Sequence, residues 1–139
     1  MNWLERLNGD PLPWLLENDE TNPGVRYFAL KELLERPSTD PGLIAAQKTV
    51  METGPVPIIL ENQEPEGWWV KPGPGYAPKY RGTVWQLIFL AQLGADSSDA
   101  RVRAGCDSVL ERSRDANGSF TATGTQMGAV HCLEGNLGA

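Results

Sequence analysis

The run Glu66-Gly67-Trp68-Trp69-Val70-Lys71-Pro72-Gly73-Pro74-Gly75-Tyr76-Ala77-Pro78-Lys79-Tyr80 leads into Arg81-Gly82-Thr83-Val84-Trp85-Gln86-Leu87-Ile88-Phe89-Leu90-Ala91-Gln92-Leu93-Gly94. This stretch decides the fold. It opens on a pair of aromatic residues. Prolines at 65, 72, 74 and 78 keep Asn62–Arg81 out of any helix, because each removes a backbone donor and fixes φ. A structureless connection this long is unusual in a small domain and is a place where function concentrates. The segment Thr83–Leu93 is then apolar on nearly every side, the pattern of a helix buried all round, and Gly94 supplies a C′ stop.

Outward from this stretch the chain reads as helices separated by Pro and Gly. Asp10-Pro11, Asn22-Pro23 and Asp40-Pro41 each place a capping residue before a proline at the first helical position. Met1–Leu7 suggests a short amphipathic turn, and Trp14 sits in a segment too short to stand alone, so it needs packing from elsewhere. Val25, Phe28, Ala29, Leu33 and Leu34 fall on one face of a helix that Pro37 ends. Leu43, Ile44, Gln47, Val50 and Met51 mark the next, closed by Gly54-Pro55, with a further turn at Pro57–Glu61. Ala100–Arg114 buries Val102, Cys106, Val109 and Leu110. A last, weakly periodic segment is Gln126–Leu137, with Met127, Val130, Leu133 and Leu137. No stretch alternates cleanly between turn signals, so no sheet is expected.

The 139 residues suit a single domain spanning 1–139. The net charge of −6 and scattered basic residues argue against a nucleic-acid surface. No leader pattern is visible at Met1–Asp10, and no apolar run approaches the ~18 residues of a membrane span. A soluble, cytoplasmic protein is expected, with Cys106 and Cys132 reduced and buried.

Aromatic marks at Trp14, Trp68 and Phe120 are each followed by a loop and a helix. After the first two of these helices comes a second, amphipathic one. The pattern is mark, inner helix, outer helix, and the third copy lacks its outer helix. It amounts to about two and a half helical-hairpin repeats, each burying its apolar face on its neighbour. A homo-oligomer completing the unfinished repeat is expected.

Three elements carry a resemblance: Gln63…Gly67-Trp68; the run Tyr80–Leu87 with Leu90 and Leu93-Gly94; and Asn117-Gly118-Ser119-Phe120. Together they resemble the terpenoid-cyclase and protein-prenyltransferase superfamily and its QW-type motif. Trp14–Glu17 with Val25-Arg26-Tyr27, and His131–Asn136, are similar to bacterial squalene-cyclase-like or prenyltransferase-like repeat proteins. The resemblance implies an all-α, α/α-toroid fold with an apolar cavity for a small apolar or isoprenoid-like ligand. The chain has no Asp-x-Asp-Asp acid, and the prenyltransferase zinc ligands cannot be matched. Cyclisation and prenyl transfer are therefore not implied.

Two constellations are candidates for chemistry. His131, Cys132 and Glu134 form the best polar cluster. Neighbouring helical residues diverge by about 100°, which weakens a shared metal or a His-activated thiolate and favours an ordinary helix interface. No metal and no cofactor are expected. Trp68, Trp69, Tyr76, Tyr80 and Trp85 could line a groove for an apolar ligand, though Trp68 and Trp85 also suit the packing mark between repeats. Glu64 and Glu66 stand beside them. A carboxylate pair about 5–10 Å apart would suit a small carbohydrate-active hydrolase, which is the alternative to an apolar-ligand protein. A non-catalytic interaction repeat is the third possibility.

Overall fold

The computed structural model describes residues 3–128 and 130–138. Met1 and Asn2 of the expected first turn, and the side chains of Trp3, Leu4 and Met127, lie outside the described set. The helices in chain order are α1 (Leu12–Leu15), α2 (Pro23–Phe28), α3 (Pro41–Glu52), α4 (Pro55–Glu61), α5 (Thr83–Leu93), α6 (Ala100–Arg112) and α7 (His131–Leu137). A π turn, Ala29–Leu33, prolongs α2. Among the described residues no strand forms, and one antiparallel bridge joins Arg114 to Phe120. The all-α reading holds.

Of the expected caps, Asp10 accepts the Leu12 N–H and Asp40 caps α3, whereas Asn22 makes no side-chain bond to α2 and donates its amide to Asp19 instead. The Asp40 carboxylate accepts the Leu43 N–H at 3.0 Å and opens α3. Asp99 accepts the Arg101 N–H at 2.8 Å and opens α6. Each satisfies a donor that the first helical turn leaves free. Gly94 closes α5 in the left-handed region at φ 85. A Cβ there would meet the Tyr27 ring at 2.6 Å, so glycine is needed both for the turn and for packing on α2.

Helices α2 and α3 form one hairpin and α5 and α6 another, with α4 packed against both α3 and α5. Val50, Val56, Leu60, Val84, Leu90 and Leu133 are buried in one continuous core, which joins α3, α4, α5 and α7. Helix α5 is less enclosed than its composition suggests: Ala91 and Gln92 are exposed. Trp14 is also exposed, at 67%, because α1 is a single turn with no buried residue.

One turn occurs twice, at a constant offset along the chain. Glu64 N–H donates to the Trp68 carbonyl at 2.9 Å, as Asp115 N–H does to Ser119 at 3.0 Å. Gly67 and Gly118 share a left-handed φ, 88 and 89. Gln63 Nε2 donates to the Gly67 carbonyl at 3.2 Å, and Arg114 Nε to the Gly118 carbonyl at 3.0 Å. Finally, Trp69 N–H donates to Thr83 Oγ1 and Phe120 N–H to Glu134 Oε1, which ties each turn to the first turn of the following helix. The buried ring that corresponds to Phe120 is therefore Trp69. Trp68, the residue expected to be the mark, occupies the position of Ser119.

Candidate functional site

Trp69 is 3% exposed, and its Nε1 donates to the Ile59 carbonyl at 2.8 Å. A Cβ on Gly105 would lie 3.2 Å from the ring, so the indole reaches from α4 to α6. Trp68 is half-buried. The other rings form a cluster on the proline-rich loop. Trp85 stands 5.3 Å from Tyr76 and 4.9 Å from Tyr80, centroid to centroid. Its Nε1 donates to the Tyr76 carbonyl at 2.8 Å, and Gln86 Nε2 donates to the Tyr80 carbonyl at 3.0 Å. The first turns of α5 thus hold the loop down. Lys79 Nζ lies 4.9 Å over the Tyr80 ring, a cation–π contact. The Lys79 ammonium titrates above its ordinary value, chiefly through Tyr80, with smaller contributions from Tyr76 and Cys132.

His131 and Cys132 are both exposed. Glu134 is committed to the duplicated turn through Phe120. The expectation of buried cysteines is corrected: Cys106 is exposed as well. Cys106 lies on the groove that α6 shares with α7, and Cys132 is the second residue of α7. The Cys106 thiol is pushed up by partial burial, and then by Asp107. No group of three or more His, Cys, Asp or Glu side chains gathers to hold a metal among the described residues. No helix there is long and apolar enough to cross a membrane.

Two grooves were not legible in the sequence. The first, about 410 Å³, runs between α5, α6 and α7 and is walled by Leu87, Ile88, Val102, Val109, Leu110 and Leu137. Phe120 supplies its one ring, while Ser97, Cys106 and Asn136 add polar atoms. Asn136 Nδ2 donates to the Cys132 carbonyl at 2.7 Å, which leaves Oδ1 as an acceptor. Leu110, at 48% exposure, is open to solvent along this groove. None of the five aromatic residues singled out in the sequence lines it.

The second groove, also about 410 Å³, lies at the two ends of the proline-rich loop, where Ile58, Asn62, Glu64, Val70, Arg81 and Gln86 meet, and of the five expected aromatic residues Trp69 lines it. Glu66, the expected partner of Glu64, does not line it. Val70 sits at φ 70, rare for a β-branched residue, in a three-residue turn closed by Lys71 N–H on the Trp69 carbonyl at 2.8 Å.

No protein-family model, curated protein or solved structure matches the chain.

Proposed function

We infer that the chain is a helical-hairpin repeat protein of the α/α-toroid kind, with about two and a half units, and that it binds a small apolar or isoprenoid-like molecule in the groove between α5, α6 and α7. The duplicated turn at Gln63–Trp69 and Arg114–Phe120 supports kinship with the toroid repeats. The ligand reading rests on the groove itself, which is walled by aliphatic side chains and along which Leu110 stays open to solvent. An exposed apolar concavity of this kind marks a binding site more often than a bare surface. Asn136 Oδ1 and Cys106 at the wall suit a ligand with a single hydroxyl at one end of an apolar chain.

Each buried methylene contributes about 0.8 kcal/mol, so affinity should rise steeply with chain length. Farnesol should bind more tightly than geraniol, and sugars should not bind in this groove. Cys106 provides the test, because its thiol lines the groove. With farnesol present, alkylation of Cys106 by iodoacetamide should slow, while Cys132, which does not line the groove, keeps its rate. Equal alkylation of Cys106 with and without farnesol would remove the assignment.

A further inference from the structure

We propose that the groove at the two ends of the proline-rich loop is a second site, shaped for a small zwitterion with an apolar side chain, such as a free aliphatic α-amino acid. The proposal is independent of the apolar groove. It follows from which hydrogen-bonding atoms the fold has already used. Asn62 Nδ2 donates to the Ile58 carbonyl at 2.7 Å, and Gln86 Nε2 donates to the Tyr80 carbonyl at 3.0 Å. Those bonds fix both amides, so each has its Oε1 or Oδ1 left over as an acceptor. The Glu64 carboxylate and the Arg81 guanidinium line the same groove. Neither makes an ion pair or side-chain hydrogen bond among the described residues, not even with the other.

The groove therefore offers two neutral acceptors, one anionic acceptor and one planar cation. An ammonium group brings three donors, and Asn62 Oδ1, Gln86 Oε1 and the Glu64 carboxylate can each receive one. A carboxylate matches the guanidinium in a bidentate pair. Beside them lie Ile58, 62% exposed, and Val70, 51% exposed. These two aliphatic side chains are otherwise left to water and suit an apolar side chain. Val70 lines the groove in a left-handed conformation, and such outliers cluster at ligand-binding positions. A sugar would need donors and acceptors distributed around a ring, whereas here the Arg81 guanidinium supplies most of the donors, beside the one N–H left on each amide.

Isothermal titration calorimetry of the full chain with L-leucine tests the proposal. Saturable binding is expected at millimolar concentrations. Leucinamide, which lacks the carboxylate, and 4-methylpentanoate, which lacks the ammonium, should each bind about tenfold more weakly or worse, since hydrogen bonds to charged groups are the stronger class. R81Q and E64Q should each weaken leucine by a similar factor. Both residues are exposed, so the far-ultraviolet circular dichroism of each variant should match the parent chain. The proposal fails if leucine gives no saturable heat, if leucinamide and 4-methylpentanoate bind as well as leucine, if both variants bind it unchanged, or if glucose binds in its place.

Discussion

Replacing Trp69 should cost far more than replacing its neighbour Trp68, although the two look interchangeable in the sequence. Trp69 is almost fully buried, and its indole N–H holds the Ile59 carbonyl. Truncating a buried tryptophan to alanine costs about 3–5 kcal/mol through lost contacts and the cavity left behind. The stranded Ile59 carbonyl adds about 1 kcal/mol or more. Against a total stability of about 5–15 kcal/mol, W69A stands at the edge of folding. W69F is the better probe: it keeps an aromatic ring, loses the hydrogen bond and opens a smaller void, for about 2 kcal/mol in all. Trp68 is half-buried and its side chain makes no hydrogen bond among the described residues. W68A should cost about 1 kcal/mol, the middle of the range for ordinary substitutions. Urea unfolding followed by circular dichroism measures all three. F120A, in the second copy of the turn, should resemble W69A. A cost for W68A equal to or above that of W69F would refute the equivalence of Trp69 with Phe120, and with it the duplicated turn.

Glycine positions separate in the same way. G67A combines a left-handed φ with a Cβ that would fall inside the Ala104 carbonyl, so it should lose at least about 2 kcal/mol. Gly135 lies in α7 with open space around it, and G135A should instead stabilise by about 0.5–1 kcal/mol. D40A and D99A each remove an N-cap and should cost about 1 kcal/mol in urea unfolding. Asp99 also carries a pH dependence. The Arg101 side chain, first, and backbone N–H groups hold its carboxyl below the ordinary value of 3.8, against some desolvation. A depressed folded pKa stabilises above the unfolded value and is lost as pH falls through the folded one. The stability of the parent chain should therefore fall more steeply below pH 3.8 than that of D99N, as read by acid titration of the unfolding midpoint.

Helix positions were legible because each depends on local chemistry. Gly94 ends α5 at its expected place, and Asp40 and Asp99 fix the starts of α3 and α6. Boundaries moved where long-range bonds intervene. Helix α6 stops at Arg112 because Ser113 leaves it: its hydroxyl donates to the Pro74 carbonyl, and its own carbonyl accepts Thr121 N–H. Gly54, at φ 69, ends α3, and Pro55 at once opens α4, where the sequence suggested a shorter turn beginning at Pro57. The last segment divides because the Gly128 carbonyl is taken by Ala122 N–H, so α7 starts at His131.

The offset of the aromatic mark has a similar origin. The turn is registered by its glycines, and the second residue after Gly67 and after Gly118 is the buried ring. Aligning those glycines, rather than the first aromatic after each loop, would have found it. Neither groove announces itself by spacing. Ile58, Glu64, Arg81 and Gln86 come from two helices and the loop between them, and they meet only because the loop is pinned to α5. The apolar groove forms where α6, with Leu110 and Cys106, meets Leu87 and Ile88 of α5 and Leu137 of α7. The polar candidates fared differently: His131 and Cys132 remain exposed, while Glu134 holds the duplicated turn.

The proposed ligand site in the apolar groove is tested most directly by mapping amide chemical shifts of the labelled protein during titration with farnesol. Saturable shifts are expected along Leu87, Ile88, Val102, Val109 and Leu137, the groove walls, with Ala45 and Thr49 on the far hairpin unmoved. Absence of saturable shifts, or shifts centred on the far hairpin instead, would contradict an apolar-ligand site between α5, α6 and α7.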